Sequence, residues 1–150
     1  AEGLEAILAD FFKLPAMIET FVGHWLPLAE VSRCRLGESP ETGLLGMTAV
    51  IGERVWDCQY RFRIVMGPMG LADFQRFLPG SDSLRRLVDW VRNYIGDELL
   101  WDVNLVLRKE EVPPLALGEG SRLGWTTWLN SQPPEHDADE LKMAAVTYCS

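Results

Sequence analysis

The two histidines are the first candidates for chemistry, because imidazole is the side chain whose ordinary titration falls near neutral pH. His24 stands beside Trp25 at the end of an extended stretch, and His136 lies within Pro-Pro-Glu-His-Asp-Ala-Asp-Glu. Neither belongs to a His-Glu-x-x-His motif, and the chain has no Gly-x-Ser-x-Gly elbow to supply a nucleophile. His24 therefore reads as a hydrogen-bonded structural residue. The alternative is a small enzyme or ligand-binding domain that uses His24 or the surface carboxylates. His136 reads as part of a solvated acidic loop. The carboxylates of Glu135, Asp137, Asp139 and Glu140 lack the spacing of a calcium loop, so no metal site is expected. The glycines of Leu-Gly-Glu-Gly-Ser-Arg-Leu-Gly (117–124) match neither the dinucleotide fingerprint nor the phosphate loop, and no cofactor is expected. Cys34, Cys58 and Cys149 are odd in number and widely spaced, which reads as free thiols. Cys58 alternates with apolar neighbours and is expected to face the core, where a thiol is inert.

The bulk properties narrow the partners. A chain of 150 residues with 47% apolar and 24% charged side chains is an ordinary single globular domain. Its net charge of −8 and the lack of a basic cluster argue against nucleic acid or an anionic membrane surface as the main partner. No apolar run reaches the roughly 18 residues of a membrane span.

The elements that would hold any site follow from periodicity. Leu4, Ile7, Leu8, Phe11 and Phe12 mark one helical face, and Pro15 predicts its end near Lys13. The stretch from Ala16 to Leu26 reads as extended. Residues 26–54 carry Pro27, Gly37, Pro40, Gly43, Gly46 and Gly52 and form a long inserted loop, a length that usually has a function. From Trp56 to Ile64 apolar and polar residues alternate, which predicts one strand ended by Gly67-Pro68. A short helix is expected around Leu71, Phe74 and Phe77. A longer one carries Leu84, Leu87, Val88, Val91, Tyr94 and Ile95, with Ser81 among its possible caps and Gly96 as its stop. Trp101, Val103, Leu105 and Leu107 share one face of the next strand. Residues 131–140 read as a mobile polar loop, and a last strand is expected within 141–149.

Two octamers resemble each other, in Leu-Leu-Gly-Met-Thr-Ala-Val-Ile-Gly (44–52) and Arg-Leu-Gly-Trp-Thr-Thr-Trp-Leu-Asn (122–130). They lie 78 positions apart, and the two main helices lie 80 apart. That agreement leaves internal duplication of a helix-strand-loop-strand unit and chance both open. Each octamer reads as a compact turn presenting Met47, Val50 and Ile51, or Trp125, Trp128 and Leu129. Residue type alone favours a plug for the end of the core over a surface for a partner. The expected fold is α+β, a two-layer sandwich of a mixed or antiparallel sheet and two main helices.

In order and spacing, Gly-Glu-Arg-Val-Trp-Asp (52–57), Phe62-Arg63-Ile64, Phe-Leu-Pro-Gly (77–80), Leu123-Gly124-Trp125 and Trp128-Leu129 resemble the C-terminal part of the TssG family. This family, also called ImpH or VasB, supplies a baseplate subunit of the type VI secretion system. The resemblance runs from Glu2 to about Asp139. It implies a non-enzymatic adaptor that works with TssF in the baseplate wedge and anchors TssK, on the cytoplasmic side of the inner-membrane complex. The family has a further N-terminal region, so the chain is expected to be an isolated C-terminal domain. In such an assembly Leu44, Leu45, Met47, Val50 and Ile51, and Trp125, Trp128 and Leu129, become candidates for partner contacts.

Overall fold

The computed structural model describes residues 1–34, 52–114, 122, 124–128 and 134–144. In chain order the elements are α1 (Glu2–Phe12), β1 (Ala16–Glu19), β2 (His24–Pro27), β3 (Arg54–Asp57), β4 (Arg61–Met69), α2 (Leu71–Arg76), α3 (Asp82–Ile95), β5 (Leu100–Leu107) and β6 (Ala138–Met143), with short 3-10 turns at Glu30–Ser32 and Lys109–Glu111. They form two compact units, Phe21–Arg61 and the remainder of the chain.

The larger unit is a four-stranded sheet in the order β1-β4-β5-β6. β1 runs antiparallel to β4, and β6 antiparallel to β5. β4 and β5 are parallel: Phe62 stacks on Trp101, Arg63 pairs with Asp102, and Arg108 donates to the Met69 carbonyl, all at one separation of 39 positions. A constant separation is what parallel strands give and antiparallel strands forbid. Their link through α2 and α3 is the long crossover such a pair needs. The sheet is thus mixed, and the fold is α+β as expected. The approach between β4 and β5 is close at Gly67, where an added Cβ would lie 2.4 Å from the Val106 carbonyl oxygen.

One face of this sheet carries the core. Phe62, Ile64 and Met66 alternate along β4, and Val103, Leu105 and Leu107 along β5, against α1, α2 and α3. The helices form for the local reasons read above. Leu4, Leu8 and Phe12 bury one stripe of α1, and Leu84, Leu87, Val88 and Val91 one stripe of α3. Ser81 caps α3 by accepting from the Leu84 amide at 3.3 Å, and Gly96 ends it at φ 83°. Tyr94, expected in the buried stripe, is half-exposed.

Several expectations are corrected. The run Trp56–Ile64 is two strands: β3 ends at Asp57 and β4 starts at Arg61, in different sheets. Cys58 lies in the break and is exposed, because no strand places it against the core. The stretch Ala16–Leu26 likewise divides into β1 and β2, with Phe21 at φ 59° between them. The Gly67-Pro68 bond is cis and lies inside β4, which continues to Met69. The last strand starts at Ala138, inside the stretch read as a mobile polar loop. Asp137 fixes that start by accepting from the Lys109 amide at 3.0 Å. With the β2–β3 ribbon set aside, helix-strand-strand recurs as α1-β1-β4 and α3-β5-β6, but the strand directions do not match. β1 and β5 are antiparallel while each lies on the same side of its partner strand, so no rotation that keeps the helices on one face superposes the pairs.

The other face of the sheet holds buried polar groups, Asp102 and Asn104. Arg63 donates to both carboxylate oxygens of Asp102, at 2.6 and 3.1 Å, and lies 3.7 Å from Glu19, so that one guanidinium ties β1, β4 and β5 together. The hydrogen bond to Asp102 holds the Arg63 proton more firmly than usual, against the opposing effect of partial burial.

Candidate protein-protein interface

The smaller unit, Phe21–Arg61, is built on the two-stranded antiparallel ribbon β2–β3. The ladder pairs His24 with Asp57, Trp25 with Trp56, Leu26 with Val55 and Pro27 with Arg54. The Leu28 amide donates to the Glu53 carbonyl at 2.8 Å, and the Val22 amide to the Arg61 carbonyl at 3.0 Å, so the ribbon is tied at both ends. Arg33 adds a hydrogen bond to the Leu28 carbonyl and an ion pair with Glu53 at 3.6 Å.

Strand alternation divides these residues between two faces. Trp25, Pro27, Arg54 and Trp56 share one. The two indoles sit directly across from each other, edge to face at a centroid distance of 5.3 Å, a favoured aromatic arrangement. Trp56 also lies over the backbone of Gly23, where a Cβ would meet its ring at 2.0 Å. Trp25 and Trp56 nevertheless remain 60% and 57% exposed. Phe21, Val31, Val55 and Tyr60, all in this unit, are exposed as well. Large aromatics gathered on one small exposed ribbon are the composition of a protein-protein contact.

The opposite face carries His24, Leu26 and Asp57. The His24 side chain is 9% exposed, and its Nδ1 lies 4.0 Å from Asp57 Oδ2. That separation is too long for a hydrogen bond. Among the described residues neither ring nitrogen has a hydrogen-bond partner, so the histidine expected to be hydrogen-bonded has a largely buried side chain without such a bond. The pair holds no nucleophile that a base here would activate. Among the described residues no group of three or more His, Cys, Asp or Glu side chains is placed to hold a metal ion. A groove of about 320 Å³ runs along α3, lined by Arg86, Asp89, Trp90 and Asn93.

Of the partner residues expected from the sequence, Leu44, Leu45, Met47, Val50, Ile51 and Leu129 lie outside the described residues. Trp125 and Trp128 are half-buried and pack against the core of the larger unit, Trp128 with its ring 5.7 Å from that of Phe74. The described part of the 122–130 stretch, Arg122 and Gly124–Trp128, forms a compact turn. The Trp125 and Thr126 amides donate to the Arg122 carbonyl, the Arg122 amide donates to the buried Thr126 hydroxyl, and Gly124 takes φ 82°. The two tryptophans thus act at least in part as the inward plug.

Sequence reasoning missed Trp25 and Trp56. The alternation through Trp56 was credited to a core strand, which turned its indole inward. The available signal was the setting of both residues, beside the Gly/Pro-rich stretch.

A family model described as type VI secretion, TssG, matches residues 1–130. In fold the chain is similar to a chain of the TssK-TssF-TssG baseplate subcomplex of the type VI secretion system determined by cryo-electron microscopy. The TM-score is 0.68 at 19% identity, over 92% of this chain and 59% of that one. It is also similar to a chain of the type VI secretion baseplate complex, with a TM-score of 0.61 at 19% identity, over 95% of this chain and 41% of that one. The chain therefore spans 59% and 41% of the lengths of these two solved chains. Among curated proteins none matches its sequence.

Proposed function

Because the chain belongs to the TssG family of type VI secretion, we propose that it is a structural, non-enzymatic part of the baseplate, held against TssF and TssK through apolar segments exposed on its smaller unit. The observation that carries this reading is the Trp25–Trp56 pair, displayed at 60% and 57% exposure on a ribbon that flanks residues 35–51. The partners are those named with TssG in the solved subcomplex to which the fold is similar. Truncating buried aromatic anchors is what typically costs most in such interfaces, about 2–4 kcal/mol each. The apolar residues Leu44, Leu45, Met47, Val50 and Ile51 lie in the segment between the two strands and extend the same contact. No described helix is long and apolar enough to cross a membrane, and the proposed place of action is the cytoplasmic side of the secretion complex.

The test is co-expression of the chain with TssF and TssK, followed by sizing of the complex. Trp25→Ala with Trp56→Ala, and separately Leu44→Asp with Leu45→Asp, are expected to release a partner while circular dichroism stays native. Trp125→Ala with Trp128→Ala is expected to lower stability as well as binding. Complexes of normal size and affinity from folded variants of all three kinds would defeat the reading.

A further inference from the structure

We propose that the ribbon is completed by a third strand: an extended segment of a baseplate partner pairs along the free edge of β3, with a carboxylate beside Arg54 and an apolar side chain beside Trp56. This inference rests on the interface reading above and specifies how the partner engages.

The hydrogen-bond phase of the ladder identifies the edge. Leu28 and Glu53 continue the β2–β3 register, and the Leu28 amide donates to the Glu53 carbonyl. In an antiparallel ladder bonded and non-bonded pairs alternate. His24–Asp57 and Leu26–Val55 are therefore bonded pairs, whereas Trp25–Trp56 and Pro27–Arg54 are non-bonded pairs whose N–H and C=O groups point outward. Non-bonded pairs also bring their side chains closest, which agrees with the indole contact.

The two edges then differ. On β2 the outward positions are Trp25 and Pro27, and a proline has no N–H to donate, a common way of closing an edge. On β3 they are Arg54 and Trp56, each with a donor and an acceptor. Among the described residues neither amide has a partner, and residues 53–56 are exposed. The edge of β1 is treated otherwise: the outward Ile18 amide donates to Glu5 at 2.7 Å. A two-stranded ribbon is marginal by itself and gains independent stability with a third strand. Strand addition supplies main-chain hydrogen bonds for affinity and alternate side chains for specificity.

Charge selects the occupant. Arg54 is exposed and has no carboxylate partner among the described residues. It stands on the same face as Trp56, two residues away, or roughly 6.6 Å along a strand. The complementary segment carries an acidic residue and an apolar one at that spacing. A partner suits this better than a second copy, which brings a chain of the same net charge of −8.

The test is amide hydrogen exchange on the chain alone and in complex with TssF and TssK, together with binding measured for Arg54→Glu and Arg54→Lys. The Arg54 and Trp56 amides are expected to exchange fast in the free chain and at least about tenfold more slowly in the complex. Arg54→Glu is expected to weaken binding about tenfold at low salt, and Arg54→Lys to retain most of it. A complex in which both amides exchange as in the free chain overturns the third strand and leaves the interface reading standing. Failure to form a complex with either protein overturns both. Slow exchange in the free chain at monomer mass means that the chain's own residues fill the edge, and at dimer mass that a second copy does; each overturns the proposal.

Discussion

Asp102→Ala tests how far the Arg63–Asp102 ion pair stabilises the polar face of the large sheet. The carboxylate is 4% exposed and receives both Nε (2.6 Å) and Nη2 (3.1 Å) of Arg63, itself 18% exposed. Removing one member of such a pair leaves the other charge stranded, at about 3–5 kcal/mol for a fully buried pair. Glu19 at 3.7 Å remains, 48% exposed, and recovers part of the loss. The expected cost is therefore about 2–4 kcal/mol, which for a chain of this size lowers Tm by about 4–16 °C. The assay is urea unfolding and thermal melting followed by circular dichroism. Two controls separate the mechanism from simple loss of packing. Replacing both members with apolar residues, Arg63→Met with Asp102→Leu, is expected to cost less than Asp102→Ala, since no charge is then stranded. Added salt is expected to leave the deficit nearly unchanged, because a buried pair is weakly screened. A loss below about 1 kcal/mol for Asp102→Ala, or a double variant less stable than the single, would refute the reasoning.

Three further outcomes follow from local geometry. Gly23→Ala puts a methyl 2.0 Å from the Trp56 ring; the indole pair is expected to separate, with loss of its coupled signal in circular dichroism, while the larger unit keeps its helical spectrum. Ser81→Ala removes the side-chain cap of α3 and is expected to cost about 1 kcal/mol in urea unfolding, whereas Ser81→Asp is expected to be nearly neutral. The hydrogen bond from Lys13, and then its charge, lower the pKa of Asp10. A depressed carboxylate stabilises the fold above its unfolded pKa and loses that contribution as pH falls through the folded one. Lys13→Ala is accordingly expected to move the Asp10 titration upward in an NMR experiment, and no movement would exclude the contact in solution.

The sequence by itself determined what depends on near neighbours. The stripes of α1 and α3, the Ser81 cap, the Gly96 stop and the turn at Arg122–Thr126 all arise within a few residues, so a helix or turn writes its reasons into its own segment. The family was legible too, in short motifs kept in order along the chain. Alternation correctly turned Phe62 and Ile64, and Val103, Leu105 and Leu107, toward the core. Tertiary structure decided where alternation could not discriminate. A period of two is the same in both sheets, so Trp56 to Ile64 read as one strand although β3 pairs with β2 and β4 with β1 and β5. Burial of Asp102 and Asn104 could not be read from the strand pattern, because the partner that makes burial of Asp102 tolerable, Arg63, lies 39 positions away. Trp56 looked inward because a strand pattern says which residues share a face and not whether a second layer covers it. Strand pairing, burial of charge and coverage of a face are properties of what comes to lie opposite, and that is fixed only when distant segments meet.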